Sequence, residues 1–234
     1  MLPSVFARPR RGLAAVPLLL GLGLLATGSY PSEPRAAAAA DLPTRAEPRA
    51  FAQVVDGLTH LSIVPEGSQA RYRIRVRSLI TGVSESVCAT QAVSGEIVLD
   101  PDGAIVAELS KVTVDQRSLK CTLPLRDSSV QNTLETQLYP TADFAIQEAP
   151  GLPTPLPTAG EASFPFVGNQ TIHGVTLPAT YAIAALFGEG EMSGLGTTPI
   201  RLSEFNIKPP RYGPLLSIED DMIVEVSFRA ATVY

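Results

Sequence analysis

The chain has 234 residues, with 18 Lys and Arg against 23 Asp and Glu and a formal net charge of −5. Four of the arginines and one glutamate sit in the first forty residues, so the remainder is more acidic still and repels a phosphate backbone. Nucleic acid is therefore not expected as a partner, and two histidines and two cysteines leave little material for a metal or haem centre.

Arg8, Arg10 and Arg11 precede an apolar stretch at 13–27, and an alanine run at 36–40 offers small-x-small cleavage positions. That order is the order of a secretory signal. The apolar stretch is about fifteen residues, short of the ~20 that a spanning helix needs. Residues 1–40 are thus expected to be a signal peptide, and the mature chain to be exported to the periplasm, the cell envelope or the outside. An uncleaved anchor, or a twin-arginine signal built on Arg10-Arg11, is the alternative. No cysteine lies near the apolar run, so a lipid-modified N-terminal cysteine is not expected. Residues 41–55 mix proline with unpatterned charge and read as a flexible tether. Residues 56–234 suffice for one domain with a sizeable core.

In chain order, 69–77 alternates Ala70, Tyr72, Ile74 and Val76 with four arginines, the period of a half-buried strand. A strand at 95–99, a Pro101-Asp102-Gly103 turn and a strand at 104–114 predict a hairpin. An isolated cysteine pair in an exported chain, here Cys88 and Cys121, reads as a disulfide, with free thiols or a metal pair as alternatives. Residues 126–139 lack β-branched runs, place Leu134 and Leu138 at helical spacing and end at Pro140, which predicts a short helix or helical loop. Strands follow at 142–148 and, after a proline-rich loop at 150–160, at 163–172.

The run Thr171-Ile172-His173-Gly174-Val175-Thr176-Leu177-Pro178 reads as a strand, a tight corner and a departing strand. A strand at 179–187, a glycine-rich turn at 188–196, and strands at 199–207 and 222–230 complete the chain. Roughly eight strands of six to ten residues with one helical segment define an all-β antiparallel sandwich or barrel. Eight strands enclose just enough room for one small ligand.

The corner at 171–178 resembles the T-I-(R/H)-G-V-T-x-P corner of the YceI-like family. Three further segments match in order. Val93-Ser94-Gly95-Glu96-Ile97-Val98-Leu99-Asp100 resembles its f-x-G-x-I-x-f-D strand. Arg126-Asp127, Leu134 and Tyr139-Pro140-Thr141-Ala142-Asp143-Phe144 resemble its helix-to-strand stretch. Arg201, Glu204-Phe205-Asn206-Ile207, Asp220-Asp221 and Val224-Glu225-Val226 resemble its ending. Many relatives carry a Trp near the first strand, absent here, and Gly where this chain has Asn206.

The resemblance implies an extracytoplasmic, lipocalin-like β-barrel that holds a polyprenyl or other long apolar lipid, with no cofactor, no metal and no covalent chemistry. A homodimer is also allowed. Such a ligand needs a long apolar slot. Tyr72, Ile74, Phe144, Phe166, Tyr181, Phe205, Val226 and Phe228, the bulky residues on inward strand faces, are then its expected wall. Two other readings stand beside this one. The same side chains fill the core of a structural or interaction domain, which an interior void under roughly 300 Å³ would mark. Or the chain is an enzyme, for which it offers no G-x-S-x-G run and only His60 and His173 as proton carriers. Asp220 and Asp221 are adjacent on a strand and point to opposite faces, so they do not pair. Asn169-Gln170-Thr171 fits an N-glycosylation pattern but is assigned no function. His173 is expected as a surface corner residue rather than a catalyst.

Overall fold

The computed structural model describes residues 57–212 and 216–232, so the expected signal peptide and the whole of the tether lie outside the described residues. Strands β1 (Thr59–Ile63) and β2 (Gln69–Ser78) lie end to end along the last strand, whose residue 230 registers with Ile63 and residue 227 with Gln69. β3 (Gly82–Thr90) pairs with β2, and β4 (Val93–Leu99) pairs with β1, so these too follow one line. β5 (Lys111–Asp115) pairs with β4, and β6 (Lys120–Cys121) pairs with β3. A 3-10 turn at Pro124–Arg126 leads into helix α1 (Asp127–Thr133). β7 (Thr141–Glu148), β8 (Gly160–Ile172), β9 (Val175–Gly188) and β10 (Glu191–Arg201) follow as antiparallel neighbours. β11 (Arg211–Tyr212) and β12 (Leu216–Thr232) end the chain, and β12 pairs with β10 on one side and with β1 and β2 on the other. The circuit β1-β4-β5-β7-β8-β9-β10-β12 closes an eight-stranded antiparallel barrel.

Period-two alternation sets the inside face. Phe164, Phe166, Gln170 and Ile172 of β8 and Tyr181, Ile183, Ala185 and Phe187 of β9 are buried, with exposed or half-exposed residues between them. Three prolines sit inside strands, yet each lies where a neighbouring ladder has already ended. Pro165 is past the last β7 pair, Glu148 with Val167, while Pro178 and Pro199 are past the last β9–β10 pair, Ala182 with Thr197. A proline costs no ladder bond in such positions.

The corner at 171–178 is a two-residue hairpin, because Ile172 registers directly with Val175. His173 and Gly174 both have positive φ, 51° and 73°, the signature of a type I′ turn. Cys88 and Cys121 are bonded to one another across the β3–β6 register.

Several expected elements differ. The strand at 104–114 exists only from Lys111 onward. Residues 100–110 loop back instead, and the Ser110 hydroxyl takes up both the amide and the carbonyl of Val98 at 2.9 and 3.2 Å. The turn at 188–196 is far shorter, since Gly188 already registers with Glu191, and Gly194 and Gly196 belong to β10. The strand at 199–207 stops at Arg201. Leu202–Phe205 forms a 3-10 turn closed by Asn206 in the left-handed region at φ 58°, the conformation that favours Gly and that Asn tolerates. β3 had no expected counterpart, because its buried positions include Ser86 and Thr90 as well as Cys88 and show no apolar rhythm.

Candidate functional site

The barrel interior contains an apolar cavity of about 110 Å³. Phe144, Phe166, Tyr181, Val226 and Phe228 are on its wall, as the inward phase of their strands requires. A second cavity of about 330 Å³ lies between α1 and β2, lined by Ile74, Val76, Val130, Leu202 and Ile218 among others. Tyr72, Leu134 and Met222 line both spaces and so stand between them. A larger cleft of about 450 Å³ exists at strand ends beside residues 153–158. Its lining mixes Asp100, Thr154, Thr158, Glu191 and Thr232 with Leu61, Leu99, Leu156, Phe187 and several prolines, so it is more polar than the other two without being a polar site.

Seven of the eight expected wall residues are therefore brought together around the two adjacent cavities. Phe205 is not. The break of the strand at Arg201 carries it on the 3-10 turn, where it is buried against a second core cluster with Leu202 and Ile207. Leu134 and Met222, which line both cavities, were missed. Met222 shares the inward phase of Val224, Val226 and Phe228, so strand parity could have included it. Leu134 is buried while Leu138 is 72% exposed, because Glu135 takes a positive φ of 47° and the helical spacing stops there.

The few polar groups facing inward are mostly satisfied. The Tyr181 hydroxyl donates to Gln170 Oε1 at 2.7 Å, and Gln170 Nε2 donates to the Asp143 carbonyl at 2.9 Å. Burial pushes the Tyr181 phenol well above its ordinary pKa. It does the same for Tyr72, with the Asp127 carboxylate adding to the effect. Gln116 also faces the inner cavity, is 95% buried, and its Nε2 has no hydrogen-bond partner among the described residues.

On the outer wall Glu225 is buried beneath Arg71 and Arg73. Arg71 Nε and Arg73 Nη2 both reach its carboxylate, the latter at 2.7 Å. Burial pushes this carboxyl up, but the hydrogen bonds and charges of the two arginines outweigh that and hold it below its ordinary value.

His173 is less exposed than a corner residue is expected to be, with 12% of its side chain accessible. Nδ1 lies 3.2 Å from the Phe205 carbonyl and Nε2 lies 3.1 Å from Glu135, and the ring sits 4.4 Å from that of Tyr139. It pins the hairpin tip to the 3-10 turn and to the segment after α1. His60 is held separately, by Glu96 at 2.7 Å. Asp220 and Asp221 also part company, as parity requires. Asp220 accepts from Ser203 N at 2.8 Å, and Asp221 pairs with Arg201 at 3.3 Å. No group of three potential metal ligands occurs among the described residues.

Fold and cavity together define a class: a closed antiparallel barrel with an apolar interior cavity and a second apolar cavity beside it beneath a short helix. The chain belongs to the YceI-like family, whose domain profile matches residues 61–230. UPF0312 proteins from two strains of Pseudomonas putida are 33% identical over 114 residues, which cover 44% of this chain and 55% of each relative. The chain thus spans about half the length of the curated relatives it matches. Among solved structures, a polyisoprenoid-binding domain from Saccharophagus degradans, implicated in plant cell wall breakdown, superposes with a TM-score of 0.55 at 10% identity, covering 74% of this chain and 98% of that one. Burkholderia cenocepacia BcnA superposes with a TM-score of 0.54 at 16% identity, covering 72% and 99%. At such identities the likeness is one of fold.

Proposed function

We propose that this protein binds a polyisoprenoid, or another long apolar molecule, along the barrel interior and carries or stores it outside the cytoplasm. The observation that carries this reading is the pair of adjacent apolar cavities, which share Tyr72, Leu134 and Met222 as a common wall. A flexible chain of methyl and methylene groups needs such a slot and gains free energy by leaving water for it. The polyisoprenoid bound by the Saccharophagus degradans domain supports the choice of ligand, and the apolar stretch at 13–27 supports export. Tyr72, Ile74, Phe144, Phe166, Tyr181, Val226 and Phe228 form the ligand wall, while Phe205 packs behind it. Gln116 supplies one interior donor, which suits a chain bearing a single oxygen acceptor. Nothing in this role calls for a catalyst.

One observation favours the filled-core reading: the inner cavity alone is about 110 Å³, below the roughly 300 Å³ of an ordinary ligand pocket. The outer cavity exceeds that size. The two readings separate in one experiment. The full chain is produced in an isoprenoid-making bacterium, purified without detergent and extracted with organic solvent for mass spectrometry. A lipid carrier yields one apolar species in near-equal amount to protein. Protein that comes out empty, and stays empty after incubation with geranylgeraniol, overturns the proposal in favour of the filled core.

A further inference from the structure

The β2–β3 hairpin ends in an unusual tip. Hairpin tips are ordinarily built from Gly, Asn and Asp. Here Leu79 and Ile80 are each 77% exposed and Val83 is 61% exposed. The tip is shaped by its own bonds, since Ser78 Oγ accepts from the amides of Ile80 and Thr81, both at 3.2 Å, and Gly82 takes a φ of 77°. The apolar side chains are thus presented outward by a defined turn.

The position of this tip matters more than its composition. Ser78 registers with Gly82 on one side and with Leu216 on the other. Leu216, Val76 and Ser86 all line the outer cavity. The cavity wall therefore runs straight into the base of the tip. Charge follows the same pattern. Residues 69–90 carry four arginines and one glutamate in a chain of net charge −5. Glu219 and Glu225 of β12 offset Arg77, Arg71 and Arg73, but Arg75 is exposed and makes no ion pair among the described residues.

An apolar tip backed by arginine is the chemistry that enters an anionic bilayer surface, with the tip among the acyl chains and the guanidinium at headgroup level. We propose that the β2–β3 tip docks on a lipid bilayer and brings the mouth of the outer cavity against the membrane, from which the apolar ligand enters. This rests on the reading that the cavities hold such a ligand.

The chain has no tryptophan, so Leu79→Trp places a single reporter at the tip. The comparison variant is Leu186→Trp, on the outer face of β9 toward the opposite end of the barrel, at a position 53% exposed. Both full-length variants are mixed with vesicles of phosphatidylcholine and phosphatidylglycerol bearing brominated acyl chains. Local reporters are needed because the apolar stretch at 13–27 can itself attach to vesicles. The expected result is a blue shift and about twofold or greater quenching for Leu79→Trp, with no change for Leu186→Trp. In the tryptophan-free background, Leu79→Ser with Ile80→Ser should weaken vesicle association attributable to the tip roughly tenfold.

No quenching at the tip, or equal quenching at both positions, overturns the proposal. A concentration-dependent blue shift without vesicles also overturns it and assigns the tip to a second copy of the chain. Solvent extraction of the same preparations keeps the two readings apart. Lipid-loaded protein with an unquenched tip removes the docking surface alone, and empty protein with a quenched tip removes the ligand reading and ligand entry with it, leaving the tip as a bilayer contact.

Discussion

Gly196 offers the sharpest handle on the inner cavity. It lies on the cavity wall, and a Cβ built there would sit 2.9 Å from Ile183 Cδ1 and 3.5 Å from Tyr181 Cδ1. The closest obstacle is the end of a flexible side chain, so Gly196→Val is accommodated by a swing of Ile183. The structural cost is about 1 kcal/mol, partly offset by the preference of a strand for a β-branched residue. The new side chain then occupies the cavity. At ~10–15 Å³ for each water-sized group, a space of about 110 Å³ holds roughly seven to eleven such groups, or about two isoprene units. Three added carbons displace about a third of them. At ~0.8 kcal/mol per buried methylene the ligand loses about 2.4 kcal/mol, roughly a fiftyfold loss of affinity. Titration of delipidated protein with geranylgeraniol, followed by native mass spectrometry, reads this directly. Equal affinity in wild type and Gly196→Val would refute the use of the inner cavity. Gly194, two residues away, is the internal contrast. A Cβ there meets the Ala184 carbonyl oxygen at 2.7 Å and the Phe228 ring at 3.0 Å, so Gly194→Ala should cost stability as well.

Replacing Cys88 and Cys121 together by serine should lower unfolding free energy by roughly 3–4 kcal/mol, the loop-closure value for a separation of 33 residues, visible as a lower urea midpoint. If the midpoint is unmoved, the bridge constrains nothing in the unfolded chain. The depressed carboxyl of Glu225 contributes stability that is fully present above its ordinary pKa of 4.5 and is lost as pH falls through the lower folded value. Thermal melts should therefore show wild type losing its advantage over Glu225→Gln below about pH 4, and a constant difference down to lower pH would contradict the pairing. His173→Ala removes two polar contacts and a ring contact and leaves alanine in a left-handed position, so it should cost about 1–2 kcal/mol in urea unfolding. Co-purified lipid should persist in that variant, and its complete loss would move His173 into the binding machinery.

How far the sequence could be read depended on what each feature rests on. Tyr72, Phe166, Tyr181 and Phe228 stand on inward faces because each belongs to a run whose alternation is visible locally. A tight corner at His173-Gly174 was equally visible, because Gly174 accepts a positive φ, while its two-residue type I′ form came from the register of Ile172 with Val175. β3 was not, since Ser86 and Thr90 are buried by neighbours supplied from elsewhere in the chain. Phe205 failed for a related reason. Its apolar neighbours suggested a strand, while Asp220, across the chain, fastens Ser203 at 2.8 Å and helps to hold a 3-10 turn instead.

The sequence by itself determined the strand-rich class, the inward phase of most strands and the family. Those follow from period-two alternation and short turn motifs, which are properties of neighbouring residues. Only the tertiary structure decided that Tyr72, Leu134 and Met222 meet between two cavities, that Cys88 faces Cys121 across two strands, and that the base of the apolar tip at Leu79 and Ile80 adjoins the wall of the outer cavity. Each is a meeting of segments far apart in the chain. Barrel closure and register set such meetings, and no local pattern encodes them.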